Sequence, residues 1–71
     1  MEHPENRSKG KVKFYNRKYC FGFVIVDESG EEIYFKRGYV VDEVELDEGD
    51  AVTFVIGEAK RGPVAKEIQK L

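Results

Sequence analysis

No stretch of this chain repeats its apolar residues at the i, i+3, i+4 and i+7 spacing that an amphipathic helix requires. Its apolar residues alternate instead with polar ones at a period of two, which is typical of strands. Residues 11–14 alternate in this way. Phe21–Val26 is an aromatic and β-branched run, and the turn-forming residues at 27–30 lead from it into Glu32–Lys36. The first half of the chain therefore predicts a three-stranded meander.

The second half of the chain predicts two more strands after a long connection. Residues 38–50 mix apolar and acidic positions without a clean period, and they end in the turn sequence Asp-Glu-Gly-Asp. Residues 51–58 alternate again, and the breaker group at 60–63 separates them from a last run at 64–68. We expect five strands in all.

Five short strands must protect their edges, and closure into a barrel does this around one core. A chain of 71 residues forms one domain of modest stability, because it buries only about 60% of the surface that its unfolded form exposes. The sequence thus predicts a single five-stranded barrel over residues 9–71, preceded by a polar flexible tail over residues 1–8. A small SH3-like barrel is an alternative that the strand count leaves open.

Alternation also predicts which side chains face outwards. Phe21 and Phe23 share one face of the second strand, and Tyr34 shares a face of the third strand with Lys36. The aliphatic positions are the natural barrel lining: Val12, Val24, Val26, Ile33, Val52 and Val64. The aromatic rings are then left on the surface. The periodicity alone is equally consistent with rings in the core and valines on the other side of a sandwich.

Two features favour rings on the surface. Lys13 on the first strand and Lys36 on the third come close to the same rings, and Gly22 lies in mid-strand, where glycine commonly marks a close backbone approach or sharp bending. Unpaired bases need rings to stack on and positive charge along their backbone. The pattern indicates a surface for single-stranded nucleic acid.

The charges of the chain are segregated along the sequence. All charged residues within 7–18 are positive and all within 42–50 are negative, so the net charge of −2 conceals a basic and an acidic segment. Phosphates respond to the local field, which reaches about 8 Å at physiological salt. The acidic segment lacks the ordered ligand spacing of a calcium loop, so we do not expect it to bind calcium. We expect its negative charge to be solvated and to repel phosphate. Two simply solvated faces are the alternative.

Several classes of function are not indicated by the sequence. One cysteine and one histidine cannot form an intramolecular disulfide or a Cys/His zinc cluster, and His3 has no evident partner. No apolar stretch reaches the ~20 residues of a membrane span, and no secretory signal is evident, so we expect a soluble, cytoplasmic protein. No nucleophile and base form a catalytic constellation. We expect no enzyme activity, metal or cofactor, and we expect Cys20 to be packed and inert.

Five segments, in order and at nearly matching spacing, resemble the cold-shock domain family. They are residues 9–16 (KGKVKFYN), 21–24 (FGFV), 33–35 (IYF), 46–54 (LDEGDAVTF) and 62–65 (GPVA). The resemblance covers nearly everything after the tail. It implies an all-β, five-stranded antiparallel OB-fold barrel that binds single-stranded RNA or DNA with low sequence selectivity, often as an RNA chaperone.

The resemblance also implies binding positions and reveals departures. Family binding positions fall on Lys13, Phe14, Phe21, Phe23 and Tyr34. Phe14 replaces the usual tryptophan, Lys36 a histidine and Arg37 a phenylalanine, while Tyr19 and Cys20 replace a Lys-Gly pair. Arg37 can stack on a base or simply be solvated, and Tyr19 is either an added ring or an ordinary loop residue. The complete predicted nucleic-acid-binding set is Lys11, Lys13, Phe14, Tyr19, Phe21, Phe23, Tyr34, Lys36, Arg37 and Arg61.

Another function is compatible with the same surface. A barrel that docks on a protein would use aromatic and arginine side chains as anchors, and the acidic net charge and the replaced rings favour this option. Tyr39, in the long connection, is a further ring or a cap on the barrel, and we expect a cap. The predicted partner is single-stranded RNA or DNA, bound by a monomer, with no membrane and no metal involved.

Overall fold

The structure, a computed structural model, describes residues 7–41 and 44–71. The strands are β1 (Arg7–Asn16), β2 (Phe21–Val26), β3 (Glu32–Lys36), β4 (Ala51–Ala59) and β5 (Gly62–Lys70). A single turn of 3₁₀ helix, Arg37–Tyr39, follows β3 directly. None of the described helical structure is long and apolar enough to cross a bilayer.

The strands form a closed barrel in the order β1-β2-β3-β5-β4. The predicted all-β, five-stranded barrel is confirmed. Every neighbouring pair is antiparallel except β3 and β5, which run parallel where Tyr34 faces Val64. The parallel pair is where the barrel closes, because strand directions cannot alternate all the way round a ring with an odd number of members.

The predicted aliphatic lining forms the core of the barrel. All six predicted positions are buried, each with at most 6% of its surface exposed. The structure adds the two largest core side chains, Phe35 and Phe54, and a group of residues from the connection and β5: Val40, Leu46, Ala65 and Ile68. The two phenylalanines on inward-facing positions supply the bulk that valines alone would not provide.

The first strand begins earlier than the predicted domain boundary at residue 9. Arg7 lies opposite Val55 and Ser8 opposite Phe54, so both belong to the barrel. The Arg7 guanidinium donates hydrogen bonds to Thr53 Oγ1 at 3.0 Å and to the Glu67 carbonyl oxygen at 2.7 Å. Residues 1–6 of the predicted tail, with His3, lie outside the described residues.

The connection between β3 and β4 packs against one end of the barrel. Val40 forms a parallel bridge with Ile68, and Leu46 is buried. Tyr39 is partly buried and packs against the core, as we expected for a cap. The acidic positions 42 and 43 of this connection lie outside the described residues.

Candidate nucleic-acid interface

Four aromatic side chains form a continuous surface on β1, β2 and β3, which we call the aromatic platform: Phe14, Phe21, Phe23 and Tyr34. Phe21 lies at its centre. The Phe21 ring centroid is 5.9 Å from that of Phe14, 6.3 Å from that of Phe23 and 6.0 Å from that of Tyr34. These separations lie in the usual range for interacting rings, so the four side chains hold one another in place.

The platform faces outwards. Phe14 is 39% exposed and Tyr34 38%, while Phe21 and Phe23 are half-buried against their neighbours. The alternative arrangement, with these rings in the core and the valines on an outer face, is wrong for this chain. Alternation along β2 and β3 correctly predicted the facing of Phe21, Phe23 and Tyr34; whether the rings bind nucleic acid stays a prediction.

Phe14 reaches the platform through a β-bulge. Strict alternation would place Phe14 on the inner face with Val12, but the register with β2 shifts between these two residues. Lys13 is the extra residue, so Phe14 lies opposite Phe23 and points outwards with it. The sequence resemblance predicted this binding position, whereas the periodicity did not.

Gly22 allows this bulge to form. A Cβ atom at position 22 would lie 2.2 Å from the Phe14 carbonyl oxygen and 2.9 Å from Cε1 of the Phe35 ring. Only a hydrogen fits between the bulged strand and the core ring. The prediction that Gly22 marks a close backbone approach is confirmed.

The predicted cations differ in how far their charge is already engaged. Lys13 forms an ion pair and hydrogen bond with Glu32. The Lys36 ammonium lies 5.3 Å from the centroid of the Tyr39 ring, and Arg37 Nη1 lies 3.9 Å from Glu45 Oε2. Lys11 and Arg61 are exposed and form no ion pair with any described residue, so these two present their charge directly to solvent.

Tyr19 and Cys20 occupy the turn between β1 and β2. Tyr19 is 67% exposed, and the Lys18 ammonium lies 5.6 Å from its ring centroid. Cys20 is exposed and has a φ of +60°, which corrects the expectation of a packed thiol. The thiol lies 3.6 Å from the Arg17 carbonyl oxygen within the same turn.

A groove joins the platform to the turn between β4 and β5, and we call it the Tyr34 groove. It brings Lys36 and Arg61 to the edge of the platform beside Tyr34, and Lys60 joins them there. Its lining is completed by Tyr39, Ala59, Gly62, Pro63 and Val64. No acidic residue lines it among the described residues, so its local charge is positive although the net charge of the chain is −2.

The basic and acidic segments meet at Arg17. Its guanidinium forms a 2.6 Å hydrogen bond with Asp47 and a 3.3 Å hydrogen bond with Glu45, and it also donates to the Leu46 carbonyl oxygen. The hydrogen bond to Asp47 is the main cause that raises the pKa of the Arg17 guanidinium above its usual value. Arg17 therefore fixes the acidic connection to the barrel, which the separation of charges along the sequence did not reveal.

The sequence predicted no metal site. Within residues 7–41 and 44–71, no three or more His, Cys, Asp or Glu side chains lie close enough together to hold a metal ion. The acidic residues near Arg17 are instead engaged by basic side chains, and Asp50 lies 3.4 Å from the Lys70 ammonium.

Comparisons with known proteins agree with this geometry. The family model described as the 'Cold-shock' DNA-binding domain matches residues 8–71. Cold shock-like protein CspE of Bacillus anthracis is 38% identical over 87% of this chain and 94% of its own length. Cold shock-like protein CspLB of Listeria monocytogenes is 39% identical over 87% of this chain and 96% of its own length.

A solved structure shows the same fold. The drosophila Unr CSD456 structure superposes with a TM-score of 0.77 at 26% identity and covers 92% of this chain. This chain spans only 26% of the length of that one. Together with the family match, the superposition favours the OB-type barrel over the SH3-like alternative.

Proposed function

Because the chain belongs to the cold-shock domain family, whose members have a nucleic-acid-binding OB fold, we propose that it binds single-stranded RNA or DNA with low sequence selectivity and acts as an RNA chaperone. The observation that carries the proposal is the platform of four mutually supporting rings displayed on the surface of β1–β3.

The rings supply most of the binding energy in this proposal. Every base has a flat face, so stacking on an aromatic side chain contributes about 1–3 kcal/mol per base whatever the sequence. The platform rings are already held by their contacts with Phe21, so few rotamers are lost on binding. Low sequence selectivity follows because stacking does not read the edges of the bases.

The cations follow the nucleic-acid backbone. Lys11 and Arg61 have no competing ion pair among the described residues, and Lys36 lines the Tyr34 groove together with Tyr34 of the platform. These three are the strongest candidates for phosphate contacts. Lys13 and Arg37 reach phosphate only in competition with Glu32 and Glu45.

Chaperone activity follows from stacking on unpaired bases. A platform ring cannot stack on a base that is paired within a duplex, so the protein stabilises single strands and shifts a hairpin towards its open form by mass action. No catalytic step is part of this proposal.

The test is a titration monitored by fluorescence anisotropy. The labelled ligands are a pyrimidine oligonucleotide as single-stranded RNA, the same sequence as single-stranded DNA, and a duplex of that sequence. We expect single strands to bind with log K falling against log salt by about 0.7 per phosphate contact. The duplex should bind far more weakly. No affinity for single strands at low salt, or equal affinity for the duplex, would contradict the proposal.

Docking on a protein through the same face is the second candidate. The observation in its favour is that Lys13, Arg17 and Arg37 already contact carboxylates, which lowers the positive charge available to phosphate. The same titration separates the candidates, since a docking module has no measurable affinity for oligonucleotides at low salt. The predicted monomer and cytoplasmic location stay predictions; sedimentation of the purified chain tests the former.

A further inference from the structure

Tyr39 lines the Tyr34 groove and Lys66 lies next to it, and neither residue belongs to the predicted set of binding residues. Tyr39 comes from the 3₁₀ turn and Lys66 from β5, and the Lys66 ammonium lies 5.9 Å from the centroid of the Tyr39 ring. The Lys36 ammonium approaches the same ring to 5.3 Å. A half-exposed ring with two cations beside it offers what single-strand binding requires, which is a ring for a base to stack on and positive charge for its phosphate.

We infer that Tyr39 and Lys66 form an additional nucleotide site, so that a single strand stacked on the platform continues across the Tyr34 groove and places one more base on Tyr39. The inference rests on the proposed function, since the extra site is an extension of that path. Its ligand is a base with its phosphate from the same single strand that occupies the platform.

The geometry of the groove supports this path. The groove begins at Tyr34, whose ring stacks on Phe21 at 6.0 Å, and it ends at Tyr39. Lys36, Lys60 and Arg61 line it, with no carboxylate among the described lining residues. Phosphates can therefore follow an uninterrupted line of positive charge from the platform to Tyr39.

Tyr39 is also oriented before any ligand binds. Its ring packs against the core and so has little rotational freedom to lose when a base stacks on it. On its other side a second depression, lined by Gly38, Val40, Val41, Lys66 and Glu67, gives a strand room to leave the barrel. Glu67 lies 3.8 Å from Arg7, so its charge is partly neutralised there.

The test is a length series of labelled oligo(dT), from about three to ten nucleotides, within the range that single OB folds accommodate. Two variants remove the proposed site. Tyr39→Leu keeps apolar bulk against the core but removes the ring, and Lys66→Gln removes a charge from an exposed side chain outside the core. Lys70→Gln is the matched control, because Lys70 lies on the same strand and lines neither depression.

We expect the shortest oligonucleotides that bind to have equal affinity for all four proteins. For longer ones, the affinity of the parent chain rises by an added step, which Tyr39→Leu lowers by about fivefold or more and Lys66→Gln lowers in part. Lys70→Gln should follow the parent chain at every length. Variant curves that superpose on the parent curve at every length overturn the extra site and leave the platform intact. An equal loss for both lysine variants also overturns it, and an absence of binding at any length overturns the proposed function itself.

Discussion

The carbonyl oxygen of Phe14 lies 2.2 Å from the point that a Cβ atom on Gly22 would occupy. Beneath the same point is the ring of Phe35, at 2.9 Å. Position 22 therefore joins two requirements: the core ring must fill the barrel, and the bulged first strand must approach closely enough for Phe14 to face outwards. The core and the proposed binding surface both depend on the absence of one methyl group.

Gly22→Ala should destabilise the barrel. Both neighbours are rigid, one being backbone and the other a fully buried ring, so we expect a loss at the upper end of the ~1–3 kcal/mol that overpacking costs. Urea unfolding measures it. Gly38→Ala is the control, because a Cβ atom there meets nothing within 4 Å. Equal midpoints for the two variants would show that the close approach carries no energetic weight.

Much of the aromatic surface was predictable from the sequence, and one part of it was not. Alternation fixes the facing of Phe21, Phe23 and Tyr34, because β2 and β3 are regular and pair without a shift. It fails at Phe14, because the extra residue of the bulge reverses which face the following side chains of β1 point to. The sequence pattern does not show where such a bulge lies. Only the resemblance to a family carried that information.

Phe21→Ala should weaken oligonucleotide binding more than it weakens the fold. Phe21 touches the other three platform rings and offers its own face to a base, so we expect a loss of about 1–3 kcal/mol in binding, measured by anisotropy. Phe21→Tyr keeps the ring and should retain most of the affinity.

The comparison for folding is Phe54→Ala, which removes a fully buried ring. We expect it to cost about 3–5 kcal/mol of stability, enough to unfold much of so small a domain. If Phe21→Ala lowered the urea midpoint as far as Phe54→Ala and left the affinity of the remaining folded protein unchanged, Phe21 would be a structural residue only.

The ion pairs could not be predicted from the sequence. A run of positive charges predicts a basic surface, but it does not show which side chains reach across strands to a carboxylate. Lys13 reaches Glu32 on β3, and Arg17 reaches Asp47 in the acidic connection, so both partners are distant in sequence and are brought near by the fold. The exposed charge at the platform is therefore smaller than the sequence indicates.

Glu32→Gln should strengthen binding by releasing Lys13. Both side chains of the pair are about half exposed, and such pairs contribute about 0.2–1 kcal/mol, so we expect an increase in affinity of up to about fivefold. The gain should be largest at low salt, where phosphate attracts the freed ammonium most strongly. Glu31→Gln makes the same change of charge one residue earlier, without an ion pair to break among the described residues. Identical gains for both variants would assign the effect to net charge and not to Lys13.

Asp50 should make the stability of the barrel depend on pH in the acid range. Its carboxylate accepts a 2.8 Å hydrogen bond from the Asp47 backbone N–H, which is the main cause that holds the pKa of Asp50 below its usual value of 3.8. Lys70 lowers this pKa further, against the opposing effect of desolvation. As the pH falls, the unfolded chain takes up the proton first. The contribution of Asp50 to the free energy of unfolding is therefore complete above the usual pKa and is lost as the pH falls through the lowered one.

The urea midpoint of the parent chain should therefore fall between about pH 5 and pH 2 more steeply than that of Asp50→Asn, whose amide oxygen still accepts the Asp47 bond but does not titrate. Parallel curves for Asp50→Asn and the parent chain would show that acid sensitivity arises elsewhere in the barrel.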